Sequence, residues 1–102
     1  MNNFGEQIKK LRQQRRLLQK HVASELDIDT PMLSKIERGE RPAKKEHIFI
    51  FAKVFKVPEA GLLSLWLGDK VYEIIKDEDL AIEALKVAEE CVNYQKRVNY
   101  EK

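Results

Sequence analysis

A chain of 102 residues has room for one small domain, with at most a helical appendage. Hydrophobic residues make up 43% and charged residues 35%, with only four glycines and three prolines, a composition that favours a helical globular protein over a disordered one. The net charge of +2 alone does not indicate a polyanion binder, but it is unevenly spread: residues 1–56 hold thirteen Lys or Arg against seven Asp or Glu, and residues 57–102 hold six against ten.

A first helix is expected behind Asn3, which with Glu6 forms a capping-box pattern, and Phe4, Ile8 and Leu11 follow at helical spacing. A second runs from Gln19 to Leu26 with Val22, Ala23 and Leu26 on one stripe, too short to persist without tertiary packing. Asp27-Ile28-Asp29 reads as a turn in which Asp27 tolerates the left-handed conformation, Ile28 plugs the core and Asp29 caps the next helix. That third helix spans Thr30 to Arg38, with Pro31 in its first turn and Gly39 ending it. A fourth runs from about Lys44 to Phe55 with Ile48, Phe51, Ala52 and Phe55 facing a core, and Lys56-Val57-Pro58 ends it.

The fifth helix starts near Glu59 and is apolar around more than one face, through Leu62, Leu65, Trp66, Tyr72 and Ile75 among others. Four short helices can cover only one side of it. Asp77-Glu78-Asp79 suits the positive end of a sixth helix, expected to reach about Tyr94 with a stripe of mostly small residues, Ala81, Ala84, Leu85, Ala88, Cys91 and Val92. Gln95 to Lys102 is expected to fray.

Gln19 to Gly39 is the informative segment. Two short helices joined by a three-residue turn form the bihelical unit that offers its second helix to a major groove. Beyond that pattern, residues 4 to about 65 resemble the helix-turn-helix family of the lambda and 434 repressors, the Cro proteins and the restriction-modification controller proteins, known as XRE-type regulators. The resemblance rests on Ile8 to Arg12, Gln19, Val22-Ala23, Leu26, Ile28, Ser34 to Gly39, Pro42 and Phe51 to Phe55. Two positions depart from the family. Leu18 stands where Ser or Thr usually caps the second helix, and Asp27 replaces the turn glycine.

The resemblance implies an all-α fold: a five-helix DNA-binding domain over residues 1–65, followed by an additional C-terminal helix in an extension over residues 66–102 that serves dimerisation. It implies a bacterial regulator that binds double-stranded DNA as a homodimer on a palindromic site. By position, Gln19 corresponds to a residue that binds phosphate and braces the recognition helix, while Thr30, Pro31 and Lys35 correspond to base readers, flanked by Met32 and Ser34. Lys35 has the donors for guanine O6 and N7, and the Thr30 methyl can meet thymine; the alternative for Lys35 is an ordinary solvated lysine. Arg38, Arg41, Lys44 and Lys45 lie at or beyond the end of the third helix, where they would set affinity through phosphates. Glu37 is expected to be structural, bonded to a basic partner such as Arg12.

Leu65, Trp66, Tyr72 and Ile75 are the candidates for a dimer interface, the alternative being that the sixth helix folds back over the fifth within one subunit. The lone Cys91 allows neither an intrachain disulfide nor a Cys-based zinc site, and suits a reducing cytoplasm. His21 and His47 have no ligands at suitable spacing, so no metal is expected, and no cofactor. No apolar run approaches the roughly 18 residues of a membrane span, and Met1 to Phe4 begins no signal pattern. With no phosphate loop and no nucleophile beside a base, catalysis is not expected. The competing class is an antitoxin-like protein that binds a partner protein and represses its own operon.

Overall fold

The computed structural model describes residues 1–101, in which six helices occur and no strand: α1 (Asn3–Gln14), α2 (Gln19–Glu25), α3 (Thr30–Arg38), α4 (Lys45–Phe55), α5 (Glu59–Ile75) and α6 (Ala81–Glu101). They fall into two units, Met1–Lys70 and Val71–Lys102, with the division inside α5. The division lies five residues beyond the 65/66 boundary expected from sequence. Bonds from Trp66 and Asp69 to the N-terminal unit account for the difference: Trp66 Nε1 donates to the Ala43 carbonyl at 2.8 Å, and Asp69 accepts from the amides of Asn3 and Phe4 at 3.3 and 2.8 Å.

The core of the first unit is assembled from the apolar stripe of each short helix. Phe4, Ile8 and Leu11 of α1, Val22 and Ala23 of α2, Leu33 and Ile36 of α3, four residues of α4 and Leu62 of α5 are all buried. Phe51 stands at its centre, edge-on to Phe4 at 5.8 Å between centroids and stacked with Phe55 at 6.0 Å. None of these helices buries enough surface to stand alone, so their stability is a property of this shared core.

The N-terminus differs from expectation by one residue. Asn2, not Asn3, caps α1, its Oδ1 accepting from the Gly5 amide at 3.1 Å, because its Nδ2 also reaches the Glu37 carbonyl at 2.8 Å and ties the start of α1 to the end of α3. Gly5 is required there: a Cβ would lie 2.5 Å from the Ile36 carbonyl oxygen. Asp69 supplies the remaining acceptor for the first turn of α1.

The turn behaves as read. Asp27 is left-handed at φ 56°, Ile28 is half-buried against the core, and Asp29 caps α3 by accepting from the Met32 amide at 2.8 Å. Leu18 precedes α2 without a side-chain cap. Arg16 and Lys56 also adopt left-handed conformations, which their side chains do not signal.

In the second unit the last turn of α5 leads through Asp77-Glu78-Asp79 into α6. The expected fraying from Gln95 onward is not seen, since α6 continues to Glu101, and Lys102 lies outside the described residues. No glycine or proline interrupts the segment, and Gln95 bonds Asn99 one turn on at 3.2 Å. From Ala81 to Tyr100 no residue of α6 is buried. Among the described residues no helix is long and apolar enough to cross a membrane.

Candidate nucleic-acid interface

Helix α3 is amphipathic in a specific sense. Leu33, Ile36 and Glu37 face inward, while Pro31, Lys35 and Arg38, spaced i, i+4 and i+7, are exposed on one face. Thr30 and Ser34 border that face, half-buried. Met32 is also half-buried, but it packs against the core, so its side chain serves packing as well as flanking the face.

Behind the face lies a polar brace. Glu37, 4% exposed, accepts from Arg12 Nε at 2.7 Å and Nη2 at 3.0 Å, and from Gln19 Nε2 at 3.0 Å. Arg12 Nη1 in turn donates to the Leu17 carbonyl at 3.1 Å. One carboxylate thus joins α1, the first residue of α2 and the third turn of α3, satisfying charges that burial would otherwise penalise. Of the two roles the resemblance gives Gln19, this is the bracing one.

Helix α3 ends in a left-handed Gly39 at φ 76°, with the Glu40 amide donating back to the Lys35 carbonyl at 2.9 Å. A Cβ on Gly39 would meet Asn2 Cγ at 2.6 Å, so glycine is needed for space as well as for conformation. The loop beyond carries Arg41 and Lys44, both exposed, and is held at Ala43, which is buried and accepts from Trp66. Lys44 occupies the N-cap position of α4 without a side-chain cap bond and Lys45 opens the helix, both exposed. Lys35, Arg38, Arg41, Lys44 and Lys45 are therefore five exposed cations within eleven residues of chain. Such a cluster suits a polyanion.

Arg38 is not a free cation. Its Nε and Nη2 donate to the two carboxylate oxygens of Glu40 at 3.1 and 2.9 Å, and its Nη1 donates to Ser34 Oγ. This hydrogen-bonded pairing raises the Arg38 pKa and lowers that of Glu40, both side chains being exposed. The involvement of Glu40 was not legible in sequence, where it is one more charged residue in a polar stretch. Arg15 is a second residue whose role was missed: its Nε donates to the Phe55 carbonyl at 2.6 Å, closing the end of α4.

The four residues expected at a dimer interface are placed unequally. Leu65 and Trp66 are half-buried against the N-terminal core, and Lys70 lies over the Trp66 ring at 4.4 Å from its centroid. Tyr72 is 37% exposed and Ile75 half-buried, both in the second unit. That unit also exposes Ile74, Leu80, Ile82 and Val87, each by 60% or more. Among the described residues no group of three or more His, Cys, Asp or Glu is arranged to hold a metal.

A family model described as helix-turn-helix (HTH_3) matches residues 8–62, more than half of the chain. No curated protein and no solved structure matches the chain with significance.

Proposed function

The chain belongs to the XRE-type helix-turn-helix family of the lambda repressor and Cro proteins, a family of DNA-binding regulators, and on that premise we propose that it reads a palindromic operator as a homodimer and represses transcription from it. The observation that carries the reading is the exposed face of α3, with Pro31, Lys35 and Arg38 outward and Glu37 locked inward by Arg12 and Gln19. Lys35 donates to a guanine edge, Pro31 and the Thr30 methyl supply shape and apolar contact, and Ser34 lies beside them. Gln19, Arg38, Arg41, Lys44 and Lys45 contact phosphates and fix register.

A single unit of this size touches too little DNA for tight specific binding, which argues for two copies on half-sites roughly 34 Å apart. The dimer uses the apolar surface of the second unit, with Tyr72 and Ile75, which share a face of α5 at i and i+3, as its anchors. Repression follows where such a dimer overlaps a promoter.

The test is salt dependence of binding by the intact chain to a duplex selected from a random pool. Phosphate contacts by Arg41, Lys44 and Lys45 in each subunit, with Arg38 neutralised by Glu40, predict log affinity falling linearly with log salt, with a slope of about −5 for a dimer. A flat dependence contradicts the electrostatic part of the reading.

A further inference from the structure

Among the described residues, Glu40 is the one acidic side chain bonded to the exposed cations of the candidate DNA face. Its position is fixed twice, once by its amide on the Lys35 carbonyl in the turn that ends α3, and once by its carboxylate on the Arg38 fork. Three of the five guanidinium N–H groups are engaged, two by Glu40 and one by Ser34, leaving one on Nη1 and one on Nη2. We propose that Glu40 is a specificity-determining positioning residue: it holds Arg38 in one orientation and cancels its charge toward DNA at large, so that Arg38 contributes where the operator meets its two remaining donors.

This inference rests on the DNA-reading role of α3 proposed above. An exposed ion pair of this kind contributes little to folding, so its consequence lies elsewhere. A free arginine neutralises any phosphate within reach and strengthens binding to all sequences alike, whereas a neutral Arg38–Glu40 pair releases no counterion on a random duplex. The bonds to Ser34 and Glu40 also bias the rotamers of Arg38 before binding, toward the geometry in which both free N–H groups find acceptors. The charge of Lys35 also favours the Glu40 carboxylate, as a smaller effect than the bond to Arg38.

The test compares the intact wild-type chain with Glu40→Gln, Arg38→Ala and the double variant, on the duplex selected by the wild type and on a scrambled duplex. Glu40→Gln is isosteric and at an exposed position, and circular dichroism verifies that it folds. The expected result is a gain of about 3- to 10-fold per subunit on the scrambled duplex with a salt slope steeper by about 1 per subunit, a smaller gain or a loss on the selected duplex, and hence a lower ratio between them. In the Arg38→Ala background Glu40→Gln should leave that ratio unchanged. A ratio unaltered by Glu40→Gln alone, or lowered equally with and without Arg38, overturns the proposal while leaving DNA reading by α3 intact. A wild type that binds neither duplex overturns the DNA reading and this proposal with it.

Discussion

Replacing Glu37 by Gln tests the internal brace of the DNA-binding unit. The Glu37 side chain is 2% exposed and its Arg12 partner 13%, so the substitution leaves a guanidinium largely out of water without its counter-ion. Removing one partner of a buried pair costs about 3–5 kcal/mol. The remaining Leu17 carbonyl and the residual exposure of Arg12 place this case near about 3 kcal/mol on that scale. Small domains have only about 5–15 kcal/mol of stability, so urea unfolding followed at 222 nm should show the midpoint fall by a large fraction. The double variant Arg12→Met/Glu37→Leu removes both charges and should be more stable than Glu37→Gln alone. A Glu37→Gln cost below about 1 kcal/mol, or an Arg12→Met/Glu37→Leu cost equal to the sum of the Arg12→Met and Glu37→Leu costs measured singly, would refute the reasoning.

Gly39→Ala should cost about 2–3 kcal/mol in the same assay, because it combines a left-handed backbone with a methyl against Asn2, and Asn2→Ala in the same chain should relieve part of that cost. Asp69→Ala should lose about 1–2 kcal/mol, as the first turn of α1 surrenders its distant acceptor. Arg41→Ala should weaken binding to selected and scrambled duplexes by the same factor. Sedimentation of the Tyr72→Glu/Ile75→Glu variant should show a monomer at a concentration where the wild type is a dimer, with DNA affinity falling in parallel; a wild-type monomer would contradict the proposed dimer.

The bihelical unit was legible because its signals are local. Asp29 and Gly39 mark the ends of α3 by their own chemistry, and Leu33 and Ile36 give its inward stripe, so little depends on the rest of the chain. The Arg12–Glu37 pair was also anticipated, Glu37 being expected to bond a basic partner such as Arg12. What was not legible depends on distant partners. Asn2 and Asn3 are the same residue type, and only the Glu37 carbonyl, 35 residues away in sequence, makes the first of them the cap. Asp69 reads as a solvated acid on a long helix until α1 is placed against it, and the left-handed Arg16 and Lys56 follow from where the chain must turn. Trp66 was expected at a dimer interface; its indole bond to Ala43, which holds the loop bearing Arg41 and Lys44, has no counterpart in periodicity.

The central claim is that the outward face of α3 reads base edges, and the most direct measurement is a position-by-position affinity profile of wild type and Lys35→Ala on single-base variants of the selected duplex. The account predicts a wild-type preference of about 1–3 kcal/mol at one base pair in each half-site that is lost in Lys35→Ala, while preferences at the other positions persist. A Lys35→Ala protein that keeps the full wild-type profile would contradict it.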